Sequence, residues 1–206
     1  MTAPTVCIVD DDEAVLDSIA ELMSSVGLRA ATFRSAQEFL DGYDPQRPGC
    51  LVLDVRMAHM SGLALQEKLL AMGAAIPIVF VSGYHDIPVA IKTVKAGAVD
   101  FVQKPYRDQQ LLDSINEALQ RDAAARAAAS ASERFAQRLT TLTDRERHVM
   151  ELMVKGWSSK AIAKALAISH RTVEVHRSHV HEKLGARTVP ELIHLASKQP
   201  RSPRRS

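Results

Sequence analysis

The sequence predicts a doubly wound α/β domain of five parallel strands, joined by a helical linker to a small all-α domain. Three observations carry this expectation. Over the first 120 residues, short apolar runs without helical spacing alternate with segments whose apolar residues recur every three or four positions. One of those runs, Cys50-Leu-Val-Leu-Asp-Val-Arg56, reads as a strand buried on both faces that stops on a single carboxylate, Asp54. Charge then changes sign along the chain: residues 139–206 hold 13 Lys/Arg against 6 Asp/Glu, and residues 1–138 hold 13 against 18. The net charge of +2 conceals an acidic part joined to a basic one, and only the basic part suits nucleic acid.

Each element follows in order. Thr5–Val9 is the first strand, running into Asp10, Asp11 and Asp12. Val15, Ile19, Leu22, Met23 and Val26 mark the first helix, which Gly27 stops. Ala30–Phe33 is a short second strand, and Ser35 caps a brief helix carrying Phe39 and Leu40. After the central strand, a third helix starts near Gly62 with Leu65, Leu69 and Leu70. Ile76–Val81 is the fourth strand, ending at Ser82 and Gly83; Ile87, Ile91 and Val94 give the fourth helix. Val99–Val102 is the fifth strand, followed by Gln103, Lys104 and Pro105, and Leu111, Leu112, Ile115 and Leu119 form the fifth helix. With right-handed crossovers, order 2-1-3-4-5 sets the first and third strands side by side in the centre.

The chemistry gathers where parallel strands end. Their carboxyl ends share one sheet edge, so Asp10, Asp11, Asp54, Ser82 and Lys104 come together there. An Asp closing one strand is ordinarily a turn former, but carboxylates crowded on one edge repel unless a hard cation neutralises them, and oxygen ligands suit Mg²⁺. A hydroxyl and a lysine beside that ion are partners for phosphoryl oxygens.

On these residues, 5 to about 120 resemble the receiver domain of a two-component response regulator. The resemblance implies that Asp54 is the phosphoacceptor, taking a phosphoryl group from a histidine kinase. It implies that Asp11 ligates Mg²⁺ directly, Asp10 largely through water, and the backbone carbonyl of Arg56 as a further ligand. Ser82 would bond the phosphoryl group, Lys104 would pair with it, Phe101 would change rotamer on activation, and Lys104–Pro105 would be cis. The loop Met57-Ala58-His59-Met60-Ser61-Gly62 departs from the family pattern, which has proline after methionine. Alanine is expected to leave the loop and the Arg56 carbonyl freer. His59 is weighed as a metal ligand or proton donor and read instead as a solvated loop histidine. Arg56 and Tyr84, both bulky, fall where the family flanks the hydrolytic water, so a long-lived phosphoaspartate is expected.

Composition excludes other classes. No apolar run is long enough to span a membrane, and the first residues lack the pattern of a signal peptide. Cys7 and Cys50 fall in predicted strands and read as reduced core residues of a cytoplasmic protein.

Residues 121–141 are alanine-rich, without proline or glycine, and read as a helical linker. Phe135, Leu139 and Leu142 supply its apolar contacts. Thr143-Asp-Arg-Glu146 is a capping box in front of Val149, Leu152 and Met153. Gly156 stops that helix, Ser158 or Ser159 caps the next, and Ser169 caps a third after a turn through Ala167 and Ile168. A last helix carries Leu192, Ile193 and Leu195. Short helices and tight turns in a basic segment are the helix-turn-helix pattern. On the third, Val173, His176, Val180 and Leu184 share a core face, so His176 reads as a buried structural histidine rather than a ligand. Arg171, Glu174, Val175 and Ser178 face outward to read bases, with Arg177, His179 and Lys183 flanking them for phosphates; a merely solvated charged face is the plainer alternative.

Residues 142–197 are similar to the LuxR-type DNA-binding domain, through Leu142-Thr-Asp-Arg-Glu, Gly156-Trp-Ser-Ser-Lys-Ala-Ile-Ala, Ile168-Ser-His-Arg-Thr-Val-Glu-Val-His-Arg and Lys183-Leu-Gly. Glu174 departs from the lysine of many relatives, which weighs against a phosphate contact there. The whole resembles the FixJ/NarL class: a receiver (1–120), a linker (121–141), a DNA-binding domain (142–197) and a basic tail (198–206), expected to be disordered. That class implies a phosphorylation-activated transcriptional regulator that dimerises, binds double-stranded DNA and recruits RNA polymerase. Two rivals stay open: a phosphorylation-independent DNA binder with an assembly-only receiver, and a phosphoryl-transfer enzyme.

Overall fold

The structure is a computed structural model and describes residues 3–83 and 93–197. Its contacts part the chain into two units, Met1–Arg126 and Ala127–Ser206. In the first, β1 (Thr5–Val9), β2 (Arg29–Phe33), β3 (Gly49–Asp54), β4 (Ile78–Ser82) and β5 (Asp100–Gln103) form one sheet, parallel throughout, in the order β2-β1-β3-β4-β5. This is the predicted topology, with β3 between β1 and β4.

Side-chain alternation along the strands divides the core in two. Val6 and Ile8 of β1 and Cys50 and Val52 of β3 face Leu16, Ile19 and Met23 of α1 (Glu13–Ser25) and Leu111, Ile115 and Ala118 of α4 (Asp108–Thr140). Val9, Leu51 and Leu53 face the other way, onto Phe39 of α2 (Ala36–Gly42) and Leu65 and Leu69 of α3 (Gly62–Ala71). All six residues of β3 are buried. Burial of each large side chain stabilises the fold by roughly 1.5–3 kcal/mol, so Asp54 rides on a strand anchored along its whole length.

Local chemistry sets the helix ends. Asp12, the third carboxylate of the run, is the N-cap of α1 and accepts from Ala14 N–H at 2.9 Å. Ser35 caps α2 by accepting from Glu38 N–H at 3.1 Å. Val26 and Leu70, expected on inner stripes, are instead about half exposed. Val26 has left the helix as its C-cap, and the helical period lets only one of the adjacent Leu69 and Leu70 point inward. The expected fourth helix, on Ile87 and Ile91, lies outside the described residues, as does Tyr84. Val94, expected on the same stripe, is exposed.

Residues expected in the linker turn out to hold the turn before β3. Asp122 is buried and accepts from Gly49 N–H at 3.0 Å. Arg126 donates to Asp122 at 2.9 Å and to the carbonyls of Pro45, Gln46 and Arg47 at 3.1, 3.1 and 2.7 Å. A side chain at Gly49 would meet the Thr5 carbonyl, so only glycine lets β3 start against β1 there.

The second unit contains the remainder of α4, then α5 (Asp144–Val154), α6 (Ser159–Leu166), α7 (His170–Leu184) and α8 (Val189–Ser197). Its core comprises Phe135, Leu142, Val149, Met153, Ile162, Val173, Val180, Leu184 and Leu192. The capping box at Thr143 and Glu146 is complete, and Ser158 rather than Ser159 caps α6. Ala167 makes the turn between α6 and α7 at φ +52°. That left-handed conformation costs a non-glycine residue roughly 1–2 kcal/mol. Ile193, expected inside, is 39% exposed while Leu192 is fully buried.

Candidate functional site

The strand order brings the expected polar residues of the first unit to one edge. Asp10 follows β1, Asp54 ends β3, Ser82 ends β4 and Lys104 follows β5. They line a cavity of about 280 Å³ with Asp11, Asp12, Arg56 and Gly83. Lys104 Nζ lies between two carboxylates, donating to Asp10 Oδ2 at 2.8 Å and Asp54 Oδ1 at 3.0 Å. The second oxygen of each is also held: Asp10 Oδ1 accepts from Asp12 N–H at 2.9 Å, and Asp54 Oδ2 from Arg56 N–H at 2.6 Å. Lys104 N–H donates to the Ser82 carbonyl at 2.7 Å, and the Lys104–Pro105 peptide is cis. Phe101 is half-buried against the cluster on the α2 and α3 side.

Burial pushes the Asp54 carboxyl above the ordinary range, against the hydrogen bond and charge of Lys104. Burial acts to lower the Lys104 ammonium, but its bonds to Asp10 and Asp54 outweigh that and leave it raised. Gly62 admits α3 to this edge, because a side chain there would meet the Asp54 carbonyl. Cys50, on the same strand, has its thiol pushed up to about 12, chiefly by burial, as suits a reduced core residue.

Asp11 is the carboxylate expected to ligate Mg²⁺ directly. It is exposed, and its Oδ2 accepts from Ala58 N–H at 2.9 Å. The bond also bears on the loop expected to be freer. Proline lacks the N–H that makes this bond, so alanine at 58 adds a tether to Asp11. Met60 N–H to Ala58 O at 2.7 Å and Gly62 N–H to Val55 O at 3.0 Å hold the same loop. His59 is exposed, at φ +65°. The donor set still fits Mg²⁺: three carboxylates on an open cavity, with a lysine cation already set between two of them.

In the second unit, Arg171, Glu174, Val175, Ser178 and His179 are exposed on α7, and Arg177 is partly so. Glu174 stands 4.0 Å from His170 and 3.9 Å from Arg177, loose exposed pairs worth little. Lys183 differs from the others. Its Nζ donates to Glu146 Oε2 at 2.6 Å, so it is committed inward instead of being offered to phosphate. Nδ1 of His179 is 3.3 Å from Glu146 Oε1. Glu146 itself was read only as a cap. It is 3% exposed, and Lys183 first, then Thr143, pull its carboxyl down to about 2 against the effect of burial. No local sequence signal pairs positions 146 and 183, which are remote along the chain.

The chain belongs to the two-component response regulators, with a receiver domain joined to a LuxR-type DNA-binding domain. Residues 6–116 match the response regulator receiver domain, and residues 140–196 match the bacterial regulatory proteins of the luxR family. It is a two-component transcriptional regulator, controlled through its receiver and acting through DNA. The transcriptional regulatory protein TdiR of Thauera aromatica is 44% identical over 93% of this chain and 85% of its own length. FixJ of Rhizobium meliloti (strain 1021) is 40% identical over 95% of this chain and 96% of its own. The solved structure of response regulator StyR matches with a TM-score of 0.82 at 42% identity, covering 96% of this chain and all of that one. A receiver implies a histidine kinase partner, and receivers typically bind Mg²⁺. Among the described residues, no helix is long and apolar enough to cross a membrane.

Proposed function

We propose that Asp54 is the phosphoacceptor through which this regulator is activated. The carrying observation is its carboxylate at the end of β3, held by Lys104 at 3.0 Å on a cavity shared with Asp10, Asp11 and Ser82. An Asp54 oxygen attacks phosphorus, the phosphorus–nitrogen bond of a kinase phosphohistidine breaks, and the ring nitrogen leaves with the electron pair. Asp10, Asp11, Asp54 and the Arg56 carbonyl would hold Mg²⁺, which when bound supplies positive charge for the carboxylates and the incoming phosphoryl oxygens. Lys104 then exchanges Asp54 for a phosphoryl oxygen, Ser82 donates to another, and Phe101 follows Ser82 inward.

The receiver in this reading runs through Arg126, because Asp122 and Arg126 hold the turn before β3. Phosphorylation favours a homodimer that sets two DNA-binding domains on one double-stranded site and contacts RNA polymerase, in the cytoplasm. Arg171, Glu174, Val175 and Ser178 read bases, and Arg177 and His179 contact phosphates. The role is regulation and not turnover of an external substrate. Incubation with Mg²⁺ and a small phosphodonor, followed by intact mass, tests this: wild type gains one phosphoryl group and Asp54→Asn gains none. A phosphoryl group retained in Asp54→Asn would falsify the assignment.

A further inference from the structure

Two histidines one turn apart on α7 meet a carboxylate from α5. A ring nitrogen of His176, a ring nitrogen of His179 and a carboxylate oxygen of Glu146 all lie within 4.8 Å of one another. The two oxygens of Glu146 are differently employed. Oε2 accepts from Lys183 Nζ at 2.6 Å and from Thr143 N–H at 2.9 Å, whereas Oε1 faces His179 Nδ1 at 3.3 Å. His176 adds a second, independent sign. Among the described residues its Nδ1 is buried and finds no hydrogen-bond partner, a condition that costs roughly 1–3 kcal/mol when nothing relieves it.

We propose that Glu146, His176 and His179 form a binding site for one divalent transition-metal ion of the zinc type. Imidazole nitrogens select such ions over Mg²⁺ or Ca²⁺, and two histidines with one carboxylate leave a further position for water. His179, half exposed, opens the site to solvent, while Glu146 is almost fully buried. Zinc ligands sit about 2.0–2.2 Å from the ion, so the three atoms must draw together, which the exposed His179 can do by turning its ring. The carboxylate is already oriented, its Oε2 held by Lys183 Nζ and Thr143 N–H. Lys183 opposes the ion by charge, but it is bound to the other oxygen.

An ion here ties α5 to α7 and takes His179 away from phosphate, making the DNA-binding face sensitive to zinc. The site is independent of Asp54, and phosphorylation read by mass is indifferent to it. The test uses the full chain freed of metal with a chelator and titrated with zinc chloride by calorimetry at neutral pH. Wild type, His179→Ala and His59→Ala are compared, with circular dichroism to confirm folding. We expect wild type and His59→Ala to bind one equivalent more than His179→Ala; zinc taken up by the receiver carboxylates is common to all three and cancels. Equal stoichiometry in wild type and His179→Ala, or loss of the equivalent in His59→Ala instead, overturns the site.

Discussion

Two lysines in this protein hold buried carboxylates, and the two sites differ in role. In the receiver, Lys104 is shared between Asp10 and Asp54 at 2.8 and 3.0 Å on an open cavity. In the DNA-binding domain, Lys183 is 2.6 Å from Glu146, which also closes a capping box. Environment moves the two acids apart: the Asp54 carboxyl is raised by burial, and that of Glu146 is drawn down to about 2. The ordinary lysine–carboxylate bond therefore says little about role. What separates the two sites is the rest of each: Thr143 also draws Glu146 into a capping box, whereas Asp54 shares an open cavity with Asp10 and Asp11, where negative charge is in excess.

The comparison can be broken most directly by removing each lysine. Lys183→Met strands a buried carboxylate and should destabilise the DNA-binding domain by about 3–5 kcal/mol in urea unfolding. Lys104→Met should cost the receiver clearly less, because Mg²⁺ can replace the lost charge, and added Mg²⁺ should recover much of it. Equal costs, with no recovery by Mg²⁺, would erase the distinction.

The next effect is a pH dependence. Glu146 titrates at about 2 when folded against an ordinary 4.5, so the unfolded chain takes the proton first. Its contribution is whole above pH 4.5 and disappears as pH falls through about 2. Urea midpoints of the DNA-binding domain, measured with chelator present, should decline over that window. Glu146→Gln should flatten the decline; an unchanged slope would assign it to other carboxylates.

A smaller change sharpens the receiver side. Ala58→Pro removes the N–H that occupies Asp11 Oδ2. Since one hydrogen bond is worth about 0.5–1.5 kcal/mol, Mg²⁺ affinity should rise by roughly 2- to 10-fold in a fluorescence or calorimetric titration. Weaker binding would mean the tether positions Asp11 for the ion. Smallest is Arg177→Ala, which should weaken binding alike on all DNA sequences and reduce the salt slope by about one. A change in base preference instead would place Arg177 on the reading face.

Much of the receiver was legible from residue pattern, because strands buried on both faces are unbroken apolar runs and parallel topology leaves few ways to order them. That logic placed Asp10, Asp54, Ser82 and Lys104 on one edge. It did not reveal how they are bonded: the capture of Asp11 by Ala58 depends on one backbone N–H meeting a carboxylate 47 positions away. The linker shows the same limit. Alanine content announced a helix, but not that Asp122 and Arg126 would fasten its first part to the turn before β3.

By itself, the sequence determined the two domains, the element types among the described residues, the helix caps at Ser35, Thr143 and Ser169, and the class of chemistry at the strand ends. These are properties of local spacing and of residues close in sequence, where periodicity and capping act. Tertiary structure alone decided the pairing of Lys183 with Glu146, the meeting of His176 and His179 with that acid, and the choice of Lys104 as the cation between Asp10 and Asp54. Each joins side chains from separate elements, and such a pair forms only after apolar burial has set the distance between their backbones.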